Sequence, residues 1–161
     1  MKLFRKVRIE LKWAIIFTIM MLSWMLLEKT LGYHDEKIAD HEWLTMVFLP
    51  FAILMYVLAI RETRRRVYGR KLTWLQGFTS GLILTLFIAL LSPLAQYITH
   101  NYITPEYFEN VKNYSITNNL MKIDEANDYF SLNNYLWQSF IGAILGGAVT
   151  SAIVAIFMRR S

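Results

Sequence analysis

The sequence contains no cysteine among its 161 residues. Disulfides, thiolate metal sites and thiol redox chemistry are closed to it, and with them the quinone-linked disulfide-forming enzymes, a common class of small four-helix membrane protein. Charge is also scarce. Charged residues make up 18% of the chain, against roughly 25% in a soluble domain. The motifs of common chemistries are missing too: there is no nucleophile elbow, HExxH pair, phosphate loop or pair of intramembrane carboxylates. No catalytic residue, cofactor or metal ligand set is therefore expected.

What the chain has in abundance is apolar sequence, 55% by residue. Four long runs stand out, at about 13–31, 43–60, 74–99 and 135–158. Each is close to the ~20 residues a helix needs to cross a bilayer. The fold class expected is all-α: a bundle of four transmembrane helices in one integral membrane domain. None of the runs carries an ionisable residue near its centre, which argues against a proton-coupled pump of the small-multidrug kind. The basic start followed by an apolar run could be a signal peptide. No small-residue cleavage site follows it, so it is read as an uncleaved first span.

Direction comes from the basic residues. Arg61, Arg64, Arg65, Arg66, Arg70 and Lys71 crowd the stretch between the second and third runs. Short loops rich in Lys and Arg stay in the cytoplasm. With this stretch and both termini inside, thirteen basic residues lie on the cytoplasmic side and four outside. The acids reverse that split, with two inside and ten outside. The formal net charge of +5 could suit nucleic acid, but its segregation by side points to topology, so no nucleic-acid partner is expected. The basic stretch is read instead as a contact for anionic lipid at the inner face of the bilayer.

Small residues mark a helix-packing seam. Gly142 and Gly146 share one stripe of the fourth span, and Ala143, Gly147 and Ser151 share the adjacent one; Gly77 and Gly81 lie in the third span. Spacing by four lets helix backbones approach closely. The two glycine pairs fall at different depths, so different contacts are expected, within the bundle or against a second copy or another membrane protein.

Pro50 and Pro93 each remove an amide donor in the outer half of a span. Two kinks at matching depth would open an outer cavity lined by Ser92, Gln96 and Gln138, with Glu28 close to the outer end of the first span. For Glu28 itself the expectation is a carboxylate reaching the headgroups. His34 and His41, with Asp35, Asp40 and Glu42, make an outer loop rich in oxygen and nitrogen, which His100 could join. A divalent site is chemically possible there. The spacing matches no compact ligand motif, and a solvated polar turn is the expectation.

The segment 100–134 is read as an outer cap. Thr104, Pro105 and Glu106 resemble an N-cap, a first helical position and a first-turn acid. Tyr107, Val111 and Tyr114 then follow at helical spacing, predicting a helix over roughly 105–116. A second amphipathic stretch, 121–130, places Ile123, Ala126 and Phe130 on one face. Both helices are expected to lie on the outer membrane surface.

The stretches Gly69-Arg-Lys-Leu-Thr-Trp-Leu-Gln-Gly-Phe-Thr-Ser-Gly81, Ile103-Thr-Pro-Glu-Tyr-Phe108 and Asp124-Glu-Ala-Asn-Asp-Tyr-Phe130 together resemble a family of small four-helix bacterial inner-membrane proteins. That family is designated only as a domain of unknown function, number 4199. The resemblance implies a four-span inner-membrane protein and supplies no activity or site residue. The leading functional expectation is a non-enzymatic packing, assembly or accessory subunit. The alternative is a small-solute or lipid-handling transporter using the cavity near Pro50 and Pro93.

Overall fold

The computed structural model describes residues 2–160, and the architecture over them is all-α. Helix α1 (Lys2–Thr30) begins well before the expected first span. No glycine or proline interrupts it before Gly32, and its basic start consists mostly of Lys, Leu, Arg and Glu, all good helix formers. Its 29 residues run about 43 Å, longer than the ~30 Å hydrocarbon core. The helix therefore carries Lys6 and Glu10 into the bundle, and both are buried.

The second span is two helices, α2 (His41–Val47) and α3 (Leu49–Arg66). The hydrogen-bond ladder is interrupted two residues before Pro50, which lies in the first turn of α3, while Phe48 keeps helical dihedrals (φ −68°, ψ −25°), so the span continues as one segment over Ile38–Arg66. The chain turns at Phe48, whose N–H donates to the Thr45 carbonyl at 3.0 Å. Residues 61–66, expected in a loop, are the last turns of α3.

Helix α4 (Trp74–Ile98) opens on a reciprocal cap. The Thr73 hydroxyl accepts from the Gln76 N–H at 3.2 Å, and the Gln76 carboxamide accepts from the Thr73 N–H at 3.0 Å. Pro93 lies inside this helix, which continues past it into a π-turn over Thr99–Ile103. The cap comprises α5 (Tyr107–Thr117) and α6 (Ile123–Tyr129), and α7 (Leu132–Met158) completes the bundle. Helix α5 starts later than the Thr104 cap predicts, with Glu106 at the N-cap. In α6 the expected apolar face is split: Ala126 and Phe130 are buried, whereas Ile123 points out.

Helices α4 and α7 form the most extensive contact, and small residues explain why. A Cβ added at Gly77 would lie 3.2 Å from the Ala155 Cβ. At Gly81 it would collide with Ser151, and at Gly147 it would lie 2.5 Å from both the Thr85 and Tyr56 hydroxyls. The rungs Gly77–Ala155, Gly81–Ser151 and Thr85–Gly147 step evenly along an antiparallel pair, so the backbones meet without intervening side chains. Gly142 and Gly146 are not part of this ladder; nothing lies within 4 Å of a Cβ at either. Ala143 is partly buried against the core formed by Ala14, Tyr56, Ala59, Ile60, Leu84, Ile88 and Val154.

Leu75, Leu86, Leu90, Leu145, Val149 and Phe157 leave a broad apolar surface around the bundle. A soluble protein rarely exposes so large a continuous patch. A bilayer is the solvent that suits it. At one end the Leu72 and Arg160 backbones pair, N–H to carbonyl, at 2.9 and 2.8 Å. The Arg64 guanidinium donates to the Met158 carbonyl at 3.1 Å, and Arg5 to that of Arg66 at 3.2 Å. Both described chain ends thus sit with the basic stretch. The α5–α6 cap closes the other end.

Candidate functional site

The most unusual chemistry lies under the cap. Helix α1 ends in a reversal that Gly32 makes possible, with φ of 83°. Its N–H donates to the Lys29 carbonyl at 2.9 Å, and the Tyr33 N–H donates to the Glu28 carbonyl at 3.0 Å. This glycine-terminated C-cap turns the chain back over the last helical turn, bringing His34 against Glu28. The chain then enters α2, whose first residue is His41.

Glu28 is fully buried, as is His34 within one per cent. This corrects two expectations, a carboxylate at the headgroups and a solvated polar turn. The two carboxylate oxygens are used differently. Oε1 accepts from the Trp24 indole N–H at 2.7 Å and from the Thr45 hydroxyl at 3.0 Å. Oε2 faces His34 Nε2 at 3.3 Å and His41 Nε2 at 3.4 Å. The donor atoms of Glu28, His34 and His41 all lie within 4.8 Å of one another. Trp24, the one tryptophan deep in a predicted span, is thus placed by its hydrogen bond.

Tyr107 of the cap stands over this cluster, its ring centre 5.2 Å from that of His34, 5.3 Å from His41 and 5.3 Å from His100. His100 is aimed here by the π-turn, a device that shifts side-chain direction within a helix and recurs at functional sites. Its Nε2 pairs with the Gln96 carboxamide at 3.0 Å, and its ring stacks on Phe108 at 4.2 Å. Burial, with the Tyr135 hydroxyl close by, pushes the Tyr107 hydroxyl far above its usual pKa. The cap is tied down by Asn110, which donates to the His34 carbonyl at 3.0 Å and to Asp35 at 2.8 Å. Lys29 donates to the Ile103 carbonyl.

Between cap and bundle lies a chamber of about 660 Å³, lined by His34, His41, His100, Gln96 and Tyr107 among others. Of the residues expected around an outer cavity, only Gln96 lines it. Glu28 sits just behind His34 and His41. Ser92 is buried within α4, its hydroxyl donating to the Ile88 carbonyl at 2.8 Å. Pro50 and Gln138 are exposed, and Pro93 does not line the chamber. The opening is made by the cap standing off the helix ends, not by kinks at the prolines.

A second buried acid lies near the basic end. Glu10 is fully buried, accepting from the Thr63 hydroxyl at 2.8 Å and from Ser80, while its other oxygen has no partner among the described residues. Lys6 beside it donates to Thr79 at 3.0 Å. Eighteen residues separate Glu10 from Glu28, about 27 Å along the helix. The two acids therefore stand near opposite edges of the apolar layer. The basic residues Arg61, Arg65, Arg66, Arg70 and Lys71 are exposed at the Glu10 end, and Arg64 is partly covered.

Four helical segments, Leu3–Thr30, Ile38–Arg66, Trp74–Ile103 and Leu132–Met158, are long and apolar enough to cross a membrane, which points to the class of multi-pass α-helical membrane proteins. Within that class, the chain belongs to the family described as "Protein of unknown function (DUF4199)", whose profile matches residues 12–160. No match was found among curated proteins or among solved structures.

Proposed function

We propose that the protein is a multi-pass protein of the bacterial inner membrane, with both termini cytoplasmic, that admits a small polar or ionic solute from the outer face into the chamber under the cap. One observation carries the reading: Glu28 is buried at the edge of the apolar layer, with His34 and His41 between it and the chamber. Ionisable groups buried in a membrane protein are costly and mark ion or solute sites far more often than they serve packing. The accessory-subunit expectation rested on small-residue seams, an ordered outer cap and a lack of chemistry-bearing residues, and this cluster weighs against the last of the three. The role is binding or passage of a solute, not catalysis, and no nucleic acid takes part. The exposed arginines at the other end contact anionic lipid.

The cysteine-free background supplies a clean test. Val111→Cys in the chamber wall should react with a small membrane-impermeant thiol reagent added outside intact spheroplasts. Reaction only after lysis would refute an outward-opening chamber. A second reading, a seam to another copy or to a membrane partner, is favoured by one fact: Gly142 and Gly146 face open space on α7. A cysteine at Leu145 that forms no intermolecular disulfide under oxidation would dispose of a second copy on that face.

A further inference from the structure

The geometry points to a three-ligand site for a divalent transition-metal ion of the zinc class, formed by Glu28 Oε2, His34 Nε2 and His41 Nε2. This rests on the reading that the chamber admits a solute from outside, and it names the class of that solute.

The distances are long for hydrogen bonds, although His34 Nε2 is still within hydrogen-bond reach of Glu28 Oε2 at 3.3 Å, and they suit coordination. An imidazole N–H donating to a carboxylate closes to about 2.7–2.9 Å. Here both imidazole nitrogens stand off one oxygen, at 3.3 and 3.4 Å. Zinc bonds to His nitrogen and carboxylate oxygen are ~2.0–2.1 Å, so the edge of a tetrahedron of such ligands is about 3.3–3.4 Å. The two carboxylate–imidazole separations match that edge, while the three donor atoms together lie within 4.8 Å, a spread that binding an ion would have to narrow.

The donor types select the metal. Two imidazoles and one carboxylate suit zinc and its neighbours in the transition series; calcium and magnesium take oxygen sets. The carboxylate has the surrounding bonds of a supported ligand, whereas His34 Nδ1 is buried with no partner among the described residues. Oε1, the oxygen turned away from the imidazoles, is held by Trp24 and Thr45 at 2.7 and 3.0 Å, which fixes the direction of Oε2 as outer-shell partners do in metal sites. Asn110 anchors the His34 backbone from the cap.

Charge agrees. Among the described residues, only the two imidazoles approach Glu28 as possible cations. Lys29, next in sequence, is turned to the Ile103 carbonyl. A buried carboxylate with no Lys or Arg in contact, among the described residues, is a negative group that a bound dication offsets. Three protein ligands leave the fourth position free for water or for a group entering by the chamber, where His41 keeps 18% of its side chain exposed. Such open coordination suits a site that loads and releases its ion or presents it to a solute.

The test uses the full-length protein in lipid nanodiscs, purified without a polyhistidine tag and stripped with a chelator. Zinc is titrated by calorimetry, and bound metal is counted by elemental analysis. One ion per chain is expected, with Glu28→Gln and the partly exposed His41→Gln both losing it. Trp24→Phe, which takes away the indole N–H behind Oε1 together with part of the ring that packs on Phe48 and Phe51, should stay folded and bind about 10- to 100-fold more weakly. Gln138→Ala, exposed outside the chamber, should bind as the parent does. Zinc retained at full stoichiometry in both Glu28→Gln and His41→Gln would place the ion elsewhere and overturn the site. Absence of zinc binding by the folded parent would overturn it too. In that event, a different solute whose retention needs Glu28 would leave the chamber reading standing, and no Glu28-dependent solute would bring down both.

Discussion

Gly147→Ala should unfold the bundle more readily than any other single-methyl change on α7. A Cβ at this position would sit 2.5 Å from the Thr85 hydroxyl and 2.5 Å from the Tyr56 hydroxyl. Ordinary contact begins near 3.4 Å, so α7 must retreat by about 1 Å, or the two hydroxyls must part. Those hydroxyls are buried and bonded to each other at 2.9 Å. Overpacking a tight interface costs about 1–3 kcal/mol, and parting a buried hydrogen bond costs about 1 kcal/mol more. Alanine's greater helix propensity returns about 1 kcal/mol, so the expected net loss is about 1–3 kcal/mol. Gly142→Ala is the matched comparison, since nothing lies within 4 Å of its added Cβ. Its greater helix propensity should leave stability unchanged or raise it by up to about 1 kcal/mol. Reversible unfolding in mixed micelles reads both changes on one scale. Equal losses for the two variants would refute the ladder.

Fusion of alkaline phosphatase after Asn119 should give activity and fusion after Arg66 should not; the opposite pattern would invert the orientation drawn from the basic residues. Thr63→Val removes the hydroxyl that donates to buried Glu10 at 2.8 Å and should cost about 1–3 kcal/mol by the same micelle assay; no change would mean that Glu10 is solvated. Phe130, 8% exposed, anchors the cap, so Phe130→Asp should speed amide exchange across 105–130 while the spans stay protected. Exchange over that segment as fast as an unstructured chain in the parent protein would mean that no cap forms.

The long helices were legible because apolar runs of bilayer length leave few alternatives. The seam was half legible. Spacing by four singled out both stripes of α7, but periodicity alone does not say which stripe meets α4, and it is the one carrying Gly147, Ser151 and Ala155. The ends of helices were hardest. Residues 2–12 read as a basic tail, yet their helix formers extend α1, and the resulting register buries Glu10. Pro50 marks the interruption between α2 and α3, because its missing amide leaves the ladder open there. The acid–imidazole site was hidden by its spacing, since Glu28, His34 and His41 match no short ligand motif. The signal that could have exposed it is Gly32. A glycine just past a helix end reverses the chain over the final turn, and the final turn of α1 carries Glu28. His100 carried no such signal, because its direction depends on a π-turn after a proline-containing helix.

The most direct measurement is native mass spectrometry of the full-length protein released from nanodiscs, parent beside Glu28→Gln. The account predicts a bound non-protein, non-lipid mass on the parent that is missing from the variant, with both proteins folded. A parent that carries nothing beyond lipid, or a bound mass indifferent to Glu28, would contradict it.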